Sequence, residues 1–303
     1  MKALKKNAVK HHFNDNQIQS VDGLSLILKK YEKFLNIATR AQSTRNGYRR
    51  AVRDLCIFTG LLPVGIEPDH ILDYLNFLRD NKKLSWQKIK WDVAGIKHYY
   101  RYMEHDDDMS AQVPYPKEQK SLPKILSREE LKLLFDSCLN NKHRVMFRLI
   151  YSAGLRRMEL LNLKIEDIDT KDSKFRIRIN NGKGGRDRYT VLSKKIHREL
   201  QEYYRKCYPK IYLFNGQHKR QPMSPEGLRH ALKAAVKRSG IKNEVNLHIL
   251  RHCFASHALE DGMNIKTLQH LLGHSSINTT LIYLHISEIP LRGAFSPLDN
   301  LEE

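Results

Sequence analysis

Four short segments carry side chains able to hold an anion and move protons: GLRRMEL (154–160), NGKGGRDR (181–188), HILRH (248–252) and LGHSSINTTLIY (272–283). Arg156 and Glu159 stand three apart, so on a helix they share one face. Leu155, Met158 and Leu160 are apolar and Ala153 and Gly154 small, which reads as a half-buried face. A guanidinium there needs anionic partners; Glu159 supplies one charge and leaves the fork open to a phosphate, although a plain surface ion pair has the same spacing. Lys183 lies among glycines at a hairpin tip, where the backbone can approach a ligand and an ammonium can protonate an alkoxide, or where a turn is merely basic and pliant. The GKS or GKT ending of a nucleotide loop is missing. His248 and Arg251 again share a face, one to move a proton and one to hold two phosphate oxygens. His252, Cys253 and His257 stand close by, but HExxH is absent and nothing completes a zinc set, so no metal is expected and His252 and His257 read as packing or hydrogen-bonding histidines. Gly273 ends a helix bearing Ile265, Leu268, Leu271 and Leu272, and Ser275 or Ser276 caps the next. His274 then falls in the turn between helices, and Tyr283 about two turns into the second, where a lone tyrosine is ordinarily core.

The elements that must position these groups are mostly helical. Residues 21–105 repeat apolar side chains at three- and four-residue steps in four segments: Leu24 to Leu35, a second capped by Ser43 or Thr44 and ended by Gly60, a third opened by Pro68, and a fourth preceded by Ser85. Arg45, Arg49, Arg50 and Arg53 in the second segment, and Lys82, Lys83, Lys88, Lys90 and Lys97 in or near the fourth, read as cationic outer faces. Asp106 to Asp108, with Pro114, Pro116 and Pro123, mark a polar linker over 106–122. Residues 123–289 then form a second domain opened by a capping box from Ser127 to Glu130. Phe175, Ile177 and Ile179 alternate with Arg176 and Arg178 as a half-buried strand, the glycines of 182–185 turn the chain, and 189–192 return as the partner strand. Helical patterning follows to about Leu284. Residues 1–20 are a basic tail and 290–303 a short one interrupted by Pro290. The fold class is mainly α with a small β-hairpin or sheet.

Length and charge agree with this division. The 303 residues suit about two domains at ~150 each, and 41% hydrophobic content is enough to fill two cores. A net charge of +20 calls for a polyanion, and nucleic acid is the natural one, because bound phosphates release condensed counterions. There is no run of about 18 apolar residues and no apolar stretch of leader length near Met1, so neither a membrane span nor a secretion signal is expected. Cys56, Cys138, Cys207 and Cys253 form no CxxC pair and read as free thiols, which implies a reducing, cytoplasmic setting.

Arg156, Lys183, His248-x-x-Arg251, His274 and, nine residues on, Tyr283 together resemble the tyrosine recombinases of the lambda-integrase family. The resemblance covers the second domain from about Leu122 to Tyr283, and the helical module is similar to that family's core-binding domain. It implies catalytic roles for Arg156, Lys183, His248, Arg251, His274 and the nucleophile Tyr283, with Glu159 in support. It further implies a two-domain clamp on duplex DNA, cleavage through a 3′-phosphotyrosine without metal, ATP or cofactor, and a homotetramer joining two DNA sites, with a second recombinase as a possible partner. Arg45, Arg49, Lys88, Lys90 and Arg186 are the expected DNA-gripping residues. Met158 replaces a small polar residue of many members, Gly185 and Arg186 replace a common Asn-Lys pair, and the tail after Tyr283 is short. The layout is that of a compact, Xer-like or transposon-borne enzyme. Type IB topoisomerases share the active-site set, and a non-catalytic regulator could share the fold. Filled catalytic positions and the HILRH and LGHSS segments favour recombination.

Overall fold

The computed structural model describes residues 21–38, 41–117, 124–171, 174–180, 187–218 and 220–284. The expected basic tail, the hairpin tip with Lys183 and Arg186, and the tail from Pro290 lie outside them. The chain divides into two compact units, Met1–Lys120 and Ser121–Glu303.

The N-terminal unit is built from α1 (Leu24–Ile37), α2 (Gln42–Thr59), α3 (Pro68–Asp80), α4 (Trp86–Tyr99) and α5 (Asp107–Gln112). The apolar stripe sets the packing: Leu24, Leu28, Tyr31 and Leu35 recur on one face of α1 and are fully buried. They meet Ala51, Val52 and Leu55 of α2 and Val93 and Ile96 of α4 in one core. Three expectations change here. The second helix starts at Gln42 after Ala41, so Ser43 and Thr44 lie inside its first turn and not at the cap. Arg53 is buried and paired with Asp54 at 2.7 Å, so it is no part of an outer cationic face. Asp106 to Asp108 do not open an irregular linker: the Asp106 carboxylate accepts from Met109 N at 2.7 Å, starts α5, and Met109 and Val113 join the core.

The C-terminal unit runs α6 (Arg128–Asp136), α7 (Asn141–Ala153), α8 (Arg157–Asn162), β1 (Ile168–Asp169), β2 (Arg176–Ile179), β3 (Arg188–Val191), α9 (Lys194–Cys207), α10 (Pro225–Ser239), α11 (Leu247–Glu260), α12 (Ile265–Leu272) and α13 (Asn278–Leu281). The Ser127–Glu130 capping box forms as read. The hairpin forms too, and a third strand, β1, adds to it in an antiparallel order β1-β2-β3. Only two residues long, β1 is too short to show a period of two.

Two features of this unit prepare the site. Helix α11 is apolar nearly all round, burying Leu247, Leu250, Cys253, Phe254 and Ala255, and so runs through the middle of the unit. Asn246 starts it, its side chain accepting from His248 N and Ile249 N at 2.9 and 3.1 Å. Helices α7 and α12 both stop at a left-handed glycine, Gly154 (φ 63°) and Gly273 (φ 62°). Such ends leave carbonyls without helical partners, and three arginines take them up.

Candidate active site

Arg251 is fully buried on α11. Its Nη1 donates to the Gly154 carbonyl at 2.6 Å and its Nη2 to the Leu272 carbonyl at 2.7 Å, so the guanidinium caps the ends of α7 and α12 at once. Cations are favoured at helix C-termini, where the backbone dipoles leave partial negative charge. Arg156 donates Nη2 to the Gly273 carbonyl at 3.1 Å and Nη1 to Glu159 Oε1 at 2.8 Å. It meets Glu159 from the cap of α8 and not along a helical face: Arg156 precedes the helix, and its backbone N–H donates to Glu159 Oε2 at 2.8 Å. That is one half of a capping box: the Glu159 carboxylate accepts the N-terminal N–H, while arginine, which only donates, returns no bond to the Glu159 N–H.

A third guanidinium completes the group. Arg188, buried on β3, donates Nη1 and Nη2 to the two Glu159 oxygens, both at 2.8 Å, and Nε to the Leu271 carbonyl at 2.9 Å. A fork-to-fork pair of this kind is the strongest arrangement open to arginine and carboxylate. Burial alone would raise the Glu159 pKa; the Arg188 bonds first, then the Arg156 N–H and the guanidinium charges, outweigh it and bring it down to about 2. Three guanidiniums face one carboxylate, leaving two positive charges in surplus, and Arg251 Nε is buried without a hydrogen-bond partner among the described residues. Burial, with the Arg156 charge, pulls Arg251 down to about 10, still cationic at neutral pH. A buried cationic cluster with an unmet donor is a site for an anion.

Three imidazole rings and a phenol border this cluster. His274 Nε2 lies 3.1 Å from Arg251 Nη2 and Nδ1 lies 2.9 Å from Thr280 Oγ1. Burial first, then Arg251, Arg156 and Arg188, lower its pKa to about 4, so the ring is neutral at pH 7. Because a guanidinium only donates, Nε2 accepts and Nδ1–H donates to Thr280. Tyr283 is buried, its ring nearly parallel to His274 with centroids 6.5 Å apart, and its hydroxyl 2.9 Å from His252 Nδ1. Burial raises the phenol pKa while the charges of Arg251 and Arg156 work against it, which places the hydroxyl within the field of both. The tyrosine stands in the turn after α13, a helix of one turn, and not two turns into a longer one. His248 is exposed; partial burial of its ring and the charges of Arg251 and Arg156 lower its pKa, and its ring packs edge-on against His252 with centroids 4.4 Å apart.

Residues 120–288 match the family model described as Phage integrase family, and residues 27–108 match Phage integrase, N-terminal SAM-like domain. The chain is a tyrosine recombinase of the lambda-integrase family. A putative integrase/recombinase, y4qK, from Sinorhizobium fredii is 34% identical over 260 residues, covering 86% of this chain and 84% of the relative. The tyrosine recombinase XerA of Pyrococcus furiosus is 32% identical over 285 residues, covering 92% and 96%. Among solved structures, a XerA recombinase covers 92% of this chain and 99% of its own at 26% identity and a TM-score of 0.51. A lambda integrase tetramer bound to a Holliday junction shares the fold, with a TM-score of 0.71 at 20% identity over 90% and 81% of the two chains.

Within this recombinase the sequence-selected Arg156, Glu159, Arg251, His274 and Tyr283 come together, His248 lies one ring away behind His252, and Lys183 falls outside the described residues. Arg188 and Thr280 were missed. The signal for Arg188 was inverted: β3 pairs Ile179 with Arg188 and Ile177 with Thr190, so the polar residues of the strand face inward and Tyr189 and Val191 face outward. An arginine on the buried face of a strand, opposite isoleucine, marks a partner waiting inside. His252 does hydrogen-bond, and its partner is the phenol. His257 likewise bonds Tyr151, at 3.0 Å. Among the described residues no group of three or more His, Cys, Asp or Glu is placed to hold a metal ion. No described helix is long and apolar enough to cross a membrane.

Of the expected DNA-gripping residues, Lys88 and Lys90 are exposed on α4, with Lys90 Nζ 5.6 Å from the Trp86 ring. Arg45 and Arg49 on α2 are half-buried; Arg45 bonds Gln42 and Arg49 lies 3.5 Å from Glu32. Arg186 lies outside the described residues.

Proposed function

We propose that this enzyme recombines duplex DNA at specific sites by attack of Tyr283 on a backbone phosphate held by Arg156 and Arg251. The observation that carries the reading is the surplus of guanidinium charge fixed on the ends of α7 and α12, with a phenol at its border. Those carbonyls orient the cations before any substrate arrives, so the charge that builds on a five-coordinate phosphorus meets donors that need not reorganise. The phenolic oxygen forms the bond to phosphorus, the bond to the 5′ oxygen breaks, and a 3′-phosphotyrosine results. Lys183 is the assigned acid for the leaving oxygen, and the family pattern puts His248 in the role of base. His274 accepts from Arg251 in the free protein; to donate to a phosphate oxygen it must take up a proton, which an anion beside Arg251 favours. Arg251 and Tyr283 are 0% and 1% exposed, so side chains that cover them must move aside to admit the phosphate. Reversal of the attack by another 5′ hydroxyl exchanges strands, and two cleaved duplexes in a tetramer, of this chain alone or of this chain with a second recombinase, complete the product.

Arg45, Arg49, Lys88, Lys90 and Arg186 are proposed to grip the duplex backbone, chiefly as phosphate contacts that set register without reading sequence. A cytoplasmic location in contact with the chromosome follows from this role. The deciding experiment uses a nicked suicide duplex. Tyr283→Phe should bind DNA with unchanged affinity and yield no covalent adduct; an adduct formed by the variant removes Tyr283 from its role. Arg156→Ala and Arg251→Ala should each slow cleavage on the order of a hundredfold or more. Because the guanidiniums supply the cationic charge, cleavage by the wild type should persist in EDTA.

A further inference from the structure

We propose that His252, not His248, is the side chain that accepts the proton of Tyr283 as the phenol attacks. The inference rests on the reading of Tyr283 as nucleophile. His248, Arg251 and His252 share one face of α11, at spacings of three and four residues, but they reach different depths. His252 Nδ1 is 2.9 Å from the phenolic oxygen, and the two rings are 5.5 Å apart at their centroids. His248 is exposed, and its ring packs edge-on against the His252 ring with centroids 4.4 Å apart. A base must lie within hydrogen-bond reach of the proton it takes, and His252 meets that requirement.

The step balances. The phenol O–H bond breaks and its proton passes to His252 Nδ1, the ring carrying its own hydrogen on Nε2. The phenolate oxygen forms the bond to phosphorus, the bond to the 5′ oxygen breaks, and that oxygen takes a proton from the acid, for which Lys183 is assigned. His252 leaves the step as an imidazolium. His248, against the same ring and open to solvent, is the neighbour through which that charge can leave; on rejoining, the proton returns to the phenol. In the DNA-free protein, burial first and then the charges of His248 and Arg251 hold His252 at about 4, which makes it a weak base. A phosphodiester between Arg156 and Arg251 brings a negative charge into that field and strengthens it, so base and substrate arrive together.

The test is single-turnover cleavage of a nicked suicide duplex at saturating enzyme, with either the ordinary 5′ oxygen or a bridging sulfur as leaving group. His252→Asn and His252→Ala are compared with His248→Asn and Tyr283→Phe. Asparagine can still accept a hydrogen bond near the Nδ1 position but takes no proton. Both His252 variants should bind the duplex as the wild type does and cleave on the order of a hundredfold more slowly. The defect should be the same with the sulfur leaving group, which departs without a proton, and imidazole in the buffer should raise the rate of His252→Ala. Wild-type cleavage by His252→Asn would reduce the contact to a holding bond, and faster cleavage would make it a restraint. A defect that vanished with sulfur would make His252 the acid. Slowing by His248→Asn alone would return the role of base to His248. An adduct from Tyr283→Phe would instead overturn the nucleophile assignment itself, whatever the His252 variants do.

Discussion

Glu159 is the residue on which the cationic cluster turns, since it receives both Arg156 and Arg188 and lies 3.9 Å from Arg251. Its carboxyl titrates at about 2 in the folded protein against an ordinary 4.5. A depressed carboxylate contributes stability that is present above its unfolded value and lost as pH falls toward the folded one. Acid unfolding should therefore be steeper between about pH 4.5 and 2 in the wild type than in Glu159→Gln, as followed by circular dichroism. Arg188→Met leaves that carboxylate buried with one partner fewer, and removal of one side of a buried pair typically costs roughly 3–5 kcal/mol. The variant should lose stability on that scale in denaturant titration, and adding Glu159→Gln should restore part of it. Arg156, Arg251, His274 and Tyr283 were legible in the sequence because their order and spacing form a recognisable set. Arg188 was not, because apolar-in patterning points to Tyr189 and Val191 as the inward side of the strand.

At the scale of elements, the site depends on where helices stop. Gly273 has φ 62°, and a Cβ built there would lie 2.8 Å from Arg188 Cδ and 2.9 Å from Arg188 Nε. Gly273→Ala thus meets both backbone strain and a displaced guanidinium, and should slow strand cleavage more than tenfold while leaving the N-terminal unit's unfolding unchanged; about 1.4 kcal/mol of lost transition-state stabilisation is enough for that factor. Asn246→Ala removes the cap of α11 and should cost about 1 kcal/mol in thermal unfolding. The sequence displayed the glycine stops, the Ser127–Glu130 box and the hairpin, since each rests on local chemistry. It hid β1, which is too short to show a pattern, and α5, whose three aspartates look like a linker until Asp106 is seen capping. The single-turn α13 was hidden as well, because LGHSSINTTLIY carries a helical pattern past the point where the helix ends.

Across the whole molecule, a net charge of +20 predicts strong salt dependence of DNA affinity. If six or more phosphates are neutralised, binding should weaken roughly a thousandfold between about 50 and 200 mM salt, measurable by fluorescence anisotropy. A supercoiled plasmid without the target sequence should stay supercoiled, since assembly on specific sites precedes cleavage; efficient relaxation would assign a topoisomerase-like activity. The two-unit architecture was legible from length, charge and apolar spacing. Which bases are read was not, because that depends on a few side chains whose placement against a groove no spacing rule supplies. Arg156, Arg188 and Arg251 are moored in part to the carbonyls of Gly154, Leu271, Leu272 and Gly273, and amide oxygens have no proton to gain or lose in ordinary buffers. Souring the solution therefore charges His274 and His252 near pH 4, neutralises Glu159 only near pH 2, and leaves those moorings intact, so the pocket becomes more electropositive as the medium acidifies and should keep its hold on a nucleic-acid backbone until the protein itself unfolds.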